Sequence, residues 1–360
     1  MAAFARCPEC GRRFRLPPSS TRAHYCRYCD ALLESDDDEG DDDDRPSSRR
    51  TRRQSNTKTF LLAGLIGCSV LFVLCAGGVG IAIWRFVSPH SFPEQTEDYA
   101  QARQRFQTKL LRKGAAPQEW QVEPAPAGVR ELPYQSGNLT LRTWVSEPPA
   151  DGKRRPAVLF LHGGFAFGAD DWEQTQPFRD AGFVVMTPTL RGENGLPGSY
   201  SMFYNEVDDV LAAAETLANL SYVDSKRIYI AGHSVGGTMT MLAAMTSNRF
   251  CAAASFSGSP DQAAWARMQP PLMQPRVVPF NRADQREFQM RSPLAFPRSF
   301  KCPLRIYYGS QEFFFAASSQ TLAQLAKAAG LDVEALSVPG DHLSMVEPAM
   351  QKAIAFFQQK

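Results

Sequence analysis

Net charge is nearly absent from this chain: 39 Lys and Arg stand against 37 Asp and Glu, leaving +2 over 360 residues. A balance that even offers no basic footprint, and no nucleic-acid partner is expected. No internal repeat is apparent, which removes stacked-repeat architectures. Charge is also missing locally. Residues 59–84, from Thr59 to Trp84, carry none and are rich in Leu, Ile, Val and Gly. At ~1.5 Å of rise per residue the run is long enough to cross a bilayer as a helix. It is apolar on every face, which does not suit a surface helix with one buried stripe. It starts only after residue 58, so it is not expected to be a signal peptide.

The charges that are present come in blocks. Residues 34–44 are nearly all acidic and 45–58 are basic, a pattern that is solvated rather than packed. Arg45, Arg49, Arg50, Arg52, Arg53 and Lys58 precede the apolar run, and Arg85 alone follows closely. The positive-inside rule then predicts a single-pass anchor with a cytoplasmic N-terminus, and the rest of the chain outside. Of eight cysteines, Cys7, Cys10, Cys26 and Cys29 form two Cys-x2-Cys pairs fifteen residues apart. That is zinc-ribbon spacing, and four thiolates leave a structural zinc no open position for catalysis. A cytoplasmic location keeps such thiols reduced. A cytoplasmic protein partner is the natural task for the ribbon. Cys68 and Cys75 fall within the apolar run, while Cys251 and Cys302 flank successive predicted strands, as a disulfide or as buried thiols.

The chemistry starts at Gly232-His233-Ser234-Val235-Gly236-Gly237. It follows the apolar run 227–231 and precedes an apolar helix-forming stretch, so Gly-x-Ser-x-Gly sits between a strand and a helix. In that context the pattern predicts a nucleophilic serine, Ser234, exposed on a sharp turn. The helix behind it aims amides at the charge that develops on a substrate oxygen. Upstream, strand 156–161 runs into His162-Gly163-Gly164-Phe165. Amides of Gly164 or Phe165, opposite that of Val235, would form the oxyanion hole. His162 reads as a structural part of that turn, and His233 as a residue packed behind the serine. Downstream, strand 304–308 ends in Gly309-Ser310-Gln311-Glu312 and strand 333–338 in Pro339-Gly340-Asp341-His342. His342 is the expected general base and Glu312 its orienting acid, with Asp261 as the fallback.

Ser234, Glu312 and His342 stand in the chain order of an α/β-hydrolase. Residues 129–360 resemble that superfamily, in its dienelactone hydrolase and prolyl oligopeptidase-like group. Val223-Asp224-Ser225-Lys226-Arg227-Ile228 ahead of the serine motif and Ser292-Pro293-Leu294 ahead of the acid strand carry the resemblance. It implies a doubly wound, mostly parallel α/β sheet and an acyl-enzyme mechanism. Two departures stand out. The group usually has Asp where this chain has Glu312, followed here by Phe313-Phe314-Phe315. True prolyl oligopeptidases also carry a β-propeller, for which residues 85–128 leave no room, and this tilts the expected substrate from short peptides to esters. The N-terminal cysteines resemble the short zinc ribbons of bacterial membrane proteins.

The resulting layout is a zinc ribbon over 1–33, a disordered acidic-then-basic linker over 34–58, and a transmembrane helix over 59–84. A juxtamembrane helix and linker over 85–128 and the hydrolase domain over 129–360 complete it. Tyr99, Ala102, Phe106 and Leu110 lie at helical spacing, whereas 117–128 is Pro- and Ala-rich. Strands are predicted at 129–134 and 139–145 as an edge hairpin, then at 156–161, 183–187, 227–231, 252–256, 304–308 and 333–338. Helices fit 206–220, 316–329 and 347–358. Loop 189–195 and an apolar cap over 258–296, with Trp265, Met268, Met273 and Phe280, should wall the site. Arg191 in that loop is expected in an ion pair with Glu193 or Asp208 rather than on a substrate carboxylate. A membrane-anchored serine esterase is the function this layout predicts. A short-peptide peptidase and a non-catalytic binding or signalling module are the alternatives.

Overall fold

The computed structural model describes three short strands within residues 4–35, and residues 91–148 and 150–360. The chain divides into two units, Met1–Ser88 and Pro89–Lys360. In the first, β1 (Phe4–Arg6) pairs antiparallel with both β2 (Arg13–Arg15) and β3 (Glu34–Ser35). Strand β3 therefore takes the first two residues of the segment expected to be an unpaired linker. Cys7, Cys10, Cys26 and Cys29, and the apolar run 59–84 with Cys68 and Cys75, lie outside the described residues. Among the described residues no helix is long and apolar enough to cross a membrane.

The second unit is built on an eight-stranded sheet. Its strands are β4 (Val129–Ser136), β5 (Leu139–Ser146), β6 (Arg155–Leu161), β7 (Val184–Pro188), β8 (Val223–His233), β9 (Ala253–Phe256), β10 (Leu304–Gly309) and β11 (Val333–Val338). They lie in the order β11-β10-β9-β8-β6-β7-β5-β4. All pairings from β11 to β7 are parallel; β5 runs antiparallel to β7 and makes the edge hairpin with β4. Parallel strands need both faces covered, and β6 shows it. Ala157, Leu159 and Leu161 join one core layer, while Val158 and Phe160 join the other.

Helix α4 (Glu206–Ala218) covers the first layer with Val207, Val210, Ala214 and Leu217, and Glu206, Asp208 and Asp209 suit its positive N-terminus. Helices α5 (Val235–Thr246) and α9 (Phe313–Ala328) lie on the same side. The opposite face is closed by α2 (Ala169–Glu173), α3 (Gln176–Asp180) and α10 (Val346–Phe357). There Phe357 stacks on Tyr229 at 4.6 Å and on Phe178 at 6.1 Å. Strands and helices alternate around one sheet, which is the expected α/β class.

Residues 91–128 are not a free linker. Only Tyr99–Arg105 is helical (α1), capped by Asp98, and its apolar face is spent on the hydrolase unit. Tyr99 is fully buried and donates its hydroxyl to the Met290 carbonyl at 2.8 Å. Leu110 bridges to Phe280, and the Ala116 amide donates to the Gly192 carbonyl at 2.8 Å. The apolar spacing that predicted a helix is real, but it describes a docking face.

Candidate active site

Strand β8 ends at His233, and α5 begins at Val235, leaving Ser234 alone in the turn at φ 55°, ψ −114°. That left-handed conformation is strained for serine and persists because its surroundings over-determine it. The Ser234 amide donates to the Phe256 carbonyl at 2.8 Å. A side chain at Gly232 would lie 2.5 Å from the Gly236 carbonyl oxygen, and one at Gly236 would collide with the Leu161 carbonyl. Both glycines are therefore required by close approach. Ser234 is partly exposed between buried neighbours.

His342 reaches back from the loop after β11. Its Nε2 lies 3.0 Å from Ser234 Oγ and its Nδ1 lies 2.6 Å from Glu312 Oε1. The second Glu312 oxygen accepts from the Ser257 hydroxyl at 2.5 Å and from the Gly309 amide at 2.7 Å. Burial favours the neutral acid, but His342, Ser257 and Gly309 outweigh it and hold the carboxyl below its usual range. His233 Nε2 lies 2.9 Å from the His342 carbonyl, which fixes the loop from behind. Phe315 stacks on the imidazole at 5.3 Å. The Phe-Phe-Phe run thus starts α9 directly after Glu312, three residues earlier than periodicity predicted, and supplies a ring to the site.

The fallback acid has another occupation. Asp261 caps α6 (Gln262–Met268), accepting from the Ala264 amide at 2.9 Å and the Ser91 amide at 3.2 Å. Asp341 accepts from the amides of Leu343 and Ser344 and ties its own turn. The structure brings Ser234, His342 and Glu312 into one hydrogen-bonded chain and leaves Asp261 outside it.

The loop His162–Phe165 leaves β6 beside the serine turn, with Leu161 in register with Gly232. Gly164 takes φ +71°, and a side chain at Gly163 would meet His233 Nδ1 at 3.1 Å. Val235 opens α5, where no preceding turn of helix provides a carbonyl for its amide. His162 is buried, with Nε2 3.1 Å from Glu193 Oε2 and Nδ1 3.0 Å from the Gly163 carbonyl. Two acceptors suit an imidazole that donates from both nitrogens. Burial pushes against that charge, but Glu193 prevails and raises the group to about 9. The Phe165 amide does not face open space: it donates to Gln118 Oε1 at 2.8 Å.

The walls are aromatic. Phe165 stacks on Phe203 at 6.1 Å and meets Tyr200 and Trp265 edge-on. The cap carries α6, α7 (Gln274–Val277) and α8 (Gln285–Gln289), pinned by the buried Arg291–Glu287 pair at 2.7 Å. Arg191 grips Asp209 through Nε at 2.8 Å and Nη2 at 2.6 Å, so its partner is neither Glu193 nor Asp208. Cys251 and Cys302 are free, and burial pushes the Cys302 thiol up to about 12. Among the described residues no cluster of His, Cys, Asp or Glu is arranged to hold a metal. Sequence reasoning missed Ser257, Gln118, Asn194 and Asp209. Asn194, which exchanges hydrogen bonds with the Phe167 backbone, lay inside the predicted wall but drew no role.

Comparison with known proteins accords with this geometry. Residues 169–357 match the model of the prolyl oligopeptidase family. A peptidase of Bacillus subtilis (strain 168), YtmA, itself uncharacterized, is 27% identical over 184 residues, half of this chain and 71% of its own. A puromycin-hydrolyzing peptidase of Mycobacterium tuberculosis shares the fold at a TM-score of 0.56 and 22% identity, covering 66% of this chain and 40% of the neighbour. A hyperthermophilic esterase of Pyrobaculum calidifontis does so at 0.54 and 18%, covering 64% and 85%. This chain spans less than half of the acylaminoacyl and puromycin-hydrolyzing peptidases it resembles. The protein is a serine hydrolase, and the chain belongs to the prolyl oligopeptidase family.

Proposed function

We propose that the protein cleaves carboxylic esters through an acyl-enzyme formed on Ser234. The observation that carries the reading is the unbroken contact from Ser234 Oγ through His342 to Glu312. His342 Nε2 takes the hydroxyl proton as Oγ attacks the carbonyl, and Glu312 stabilises the imidazolium. The amides of Val235 and of Gly164 or Phe165 receive the oxyanion. His342 returns the proton to the leaving alkoxide. Water then attacks the acyl-enzyme with His342 again as base, releasing the acid and restoring Ser234. The aromatic wall of Phe165, Phe203 and Trp265 suits an apolar acyl or aromatic group. The peptidase named among its relatives supports a second reading, cleavage of short peptides by the same steps.

The test uses the full-length chain. A fluorophosphonate should add one adduct by intact mass, and Ser234→Ala should take none. Turnover of p-nitrophenyl acyl esters well above aminoacyl-nitroanilides supports the esterase; the reverse supports the peptidase. A folded wild type that takes no adduct points to a binding module.

The remaining parts of the reading concern the N-terminal unit. Zinc bound by Cys7, Cys10, Cys26 and Cys29 would supply a structural crosslink. The spacing of the two Cys-x2-Cys pairs is what supports this reading. One zinc per chain by elemental analysis, lost in Cys26→Ser, is the expected result. Residues 59–84 would anchor the protein, with the ribbon cytoplasmic and available to a protein partner, and the hydrolase unit outside. Retention in the membrane after alkaline extraction, and cleavage of the hydrolase unit by external protease in intact cells, test that placement.

A further inference from the structure

Residues 111–123 cross from the cap to the His162–Phe165 loop. The amides of Leu111 and Arg112 donate to the Pro279 carbonyl at 2.8 and 3.0 Å. The Gly114 carbonyl accepts from the Tyr200 amide, the Ala116 amide donates to the Gly192 carbonyl, and Glu123 accepts from the Ala169 amide at 2.5 Å. Between these anchors the hold is slight. Among the described residues, the hydrogen bonds of 117–123 run through side chains alone. Trp120 rests its ring on Gly195 while staying 41% exposed, and Val122 is 81% exposed.

The side chain at the centre of this strap is Gln118. Its Oε1 accepts from the Phe165 amide at 2.8 Å and lies 2.7 Å from where a Cβ on Gly164 would be. Only a glycine at 164 leaves that seat open to an oxygen. The atom in it is a neutral carboxamide oxygen, the same chemical species as the carbonyl oxygen of an amide substrate and close to that of an ester.

We infer that Gln118 is a resident competitor for the oxyanion donor Phe165, so that every substrate must displace its carboxamide before the carbonyl can be seated. The inference rests on the proposed role of Ser234 and takes Phe165, of the two candidates Gly164 and Phe165, as the second oxyanion donor. In the ground state one neutral carbonyl replaces another, with little net gain. In the transition state the oxygen is anionic, and hydrogen bonds to an ionised acceptor are roughly twice as strong. Displacement is therefore favoured as charge develops, while binding is weakened beforehand. Competition of this kind lowers apparent affinity by the fraction of sites that are open, the same factor for every ligand that uses the donor.

Two variants of the full-length chain separate competition from a merely bracing role. Gln118→Ala opens the seat, and kcat/KM should rise about two- to tenfold, chiefly through KM, as expected for one net hydrogen bond. The factor should be the same for a p-nitrophenyl ester, an aminoacyl-nitroanilide and the rate of fluorophosphonate labelling. Gln118→Glu places a carboxylate on the same amide, and at neutral pH kcat/KM should fall about tenfold or more. If Gln118 instead braces the loop, Gln118→Ala lowers activity and Gln118→Glu, still an acceptor, retains it; that result overturns the proposal. No change in either variant, or a rise confined to one substrate, also overturns it. Unchanged melting temperatures establish that both variants are folded. Absence of wild-type labelling at Ser234 would overturn both readings, whereas normal labelling indifferent to Gln118 overturns this one alone.

Discussion

The Ser257 hydroxyl donates to Glu312 Oε2 at 2.5 Å, on the carboxylate oxygen that His342 does not use. Ser257 holds this position in a left-handed turn at φ 49°, its own amide bound to the Tyr307 carbonyl at 2.7 Å. With the Gly309 amide it forms a seat for a carboxylate one methylene longer than aspartate. Ser257→Ala should therefore lower kcat about tenfold with KM nearly unchanged, the scale of one hydrogen bond to a charged group. In a Glu312→Asp background the shorter side chain no longer reaches Ser257, and the same substitution should cost little. Additive losses in that double-mutant cycle would count against a shared seat.

Glu312→Ala should reduce kcat by about 10⁴, the loss on disabling a triad acid, and should slow fluorophosphonate labelling in step. Asp261→Ala should leave both rates near wild type and cost about 1 kcal/mol of stability, because it removes a helix cap. The opposite pattern would make Asp261 the orienting acid.

The His162–Glu193 contact predicts how stability depends on pH. Glu193 raises the folded group to about 9, above the ~6.5 expected of an unfolded histidine. Stabilisation is then complete below about pH 6.5 and is lost as pH rises through about 9, at most about 3 kcal/mol in all. Urea midpoints measured from pH 6.5 to 9.5 should fall for the wild type. His162→Asn should be less stable at pH 6.5 and should lose most of that slope. A parallel slope in both proteins would exclude the pair as its source.

Arg191 holds a fully buried carboxylate, Asp209, so Arg191→Ala should cost about 3–5 kcal/mol by leaving that charge unpaired. An ester bearing a carboxylate and its neutral analogue should suffer equally per folded molecule. Selective loss of the anionic substrate would instead put Arg191 in the binding site.

Much of the architecture was legible along the chain because the signals are local. Strands β10 and β11 fall within one residue of their predicted ranges, since Gly or Pro closes each run; β10 is buried along most of its length, whereas β11, at the sheet edge, is buried only at its two ends. The serine turn was legible for a similar reason: Gly-x-Ser-x-Gly fits within five residues and Gly232 is required by the approach of Gly236 itself, although the Leu161 carbonyl that requires Gly236 comes from another strand. The helix start at Phe313 was not, because three consecutive aromatics have no helical period; of the three, Phe315 rests on His342 while Phe313 is exposed.

By its own pattern the sequence determined the α/β class, the order of nucleophile, acid and base, and the hydrolase identity. Tertiary structure alone decided between Glu312 and Asp261, moved residues 91–128 from linker to docked strap, and gave Arg191 its partner Asp209. It also placed Ser257 and Gln118 beside atoms 55 and 47 residues away in the chain. The physical reason is the same in each case: backbone propensity and burial period act over a few residues, while the partner of a carboxylate, a hydroxyl or an amide is chosen by packing between elements that the sequence does not list side by side.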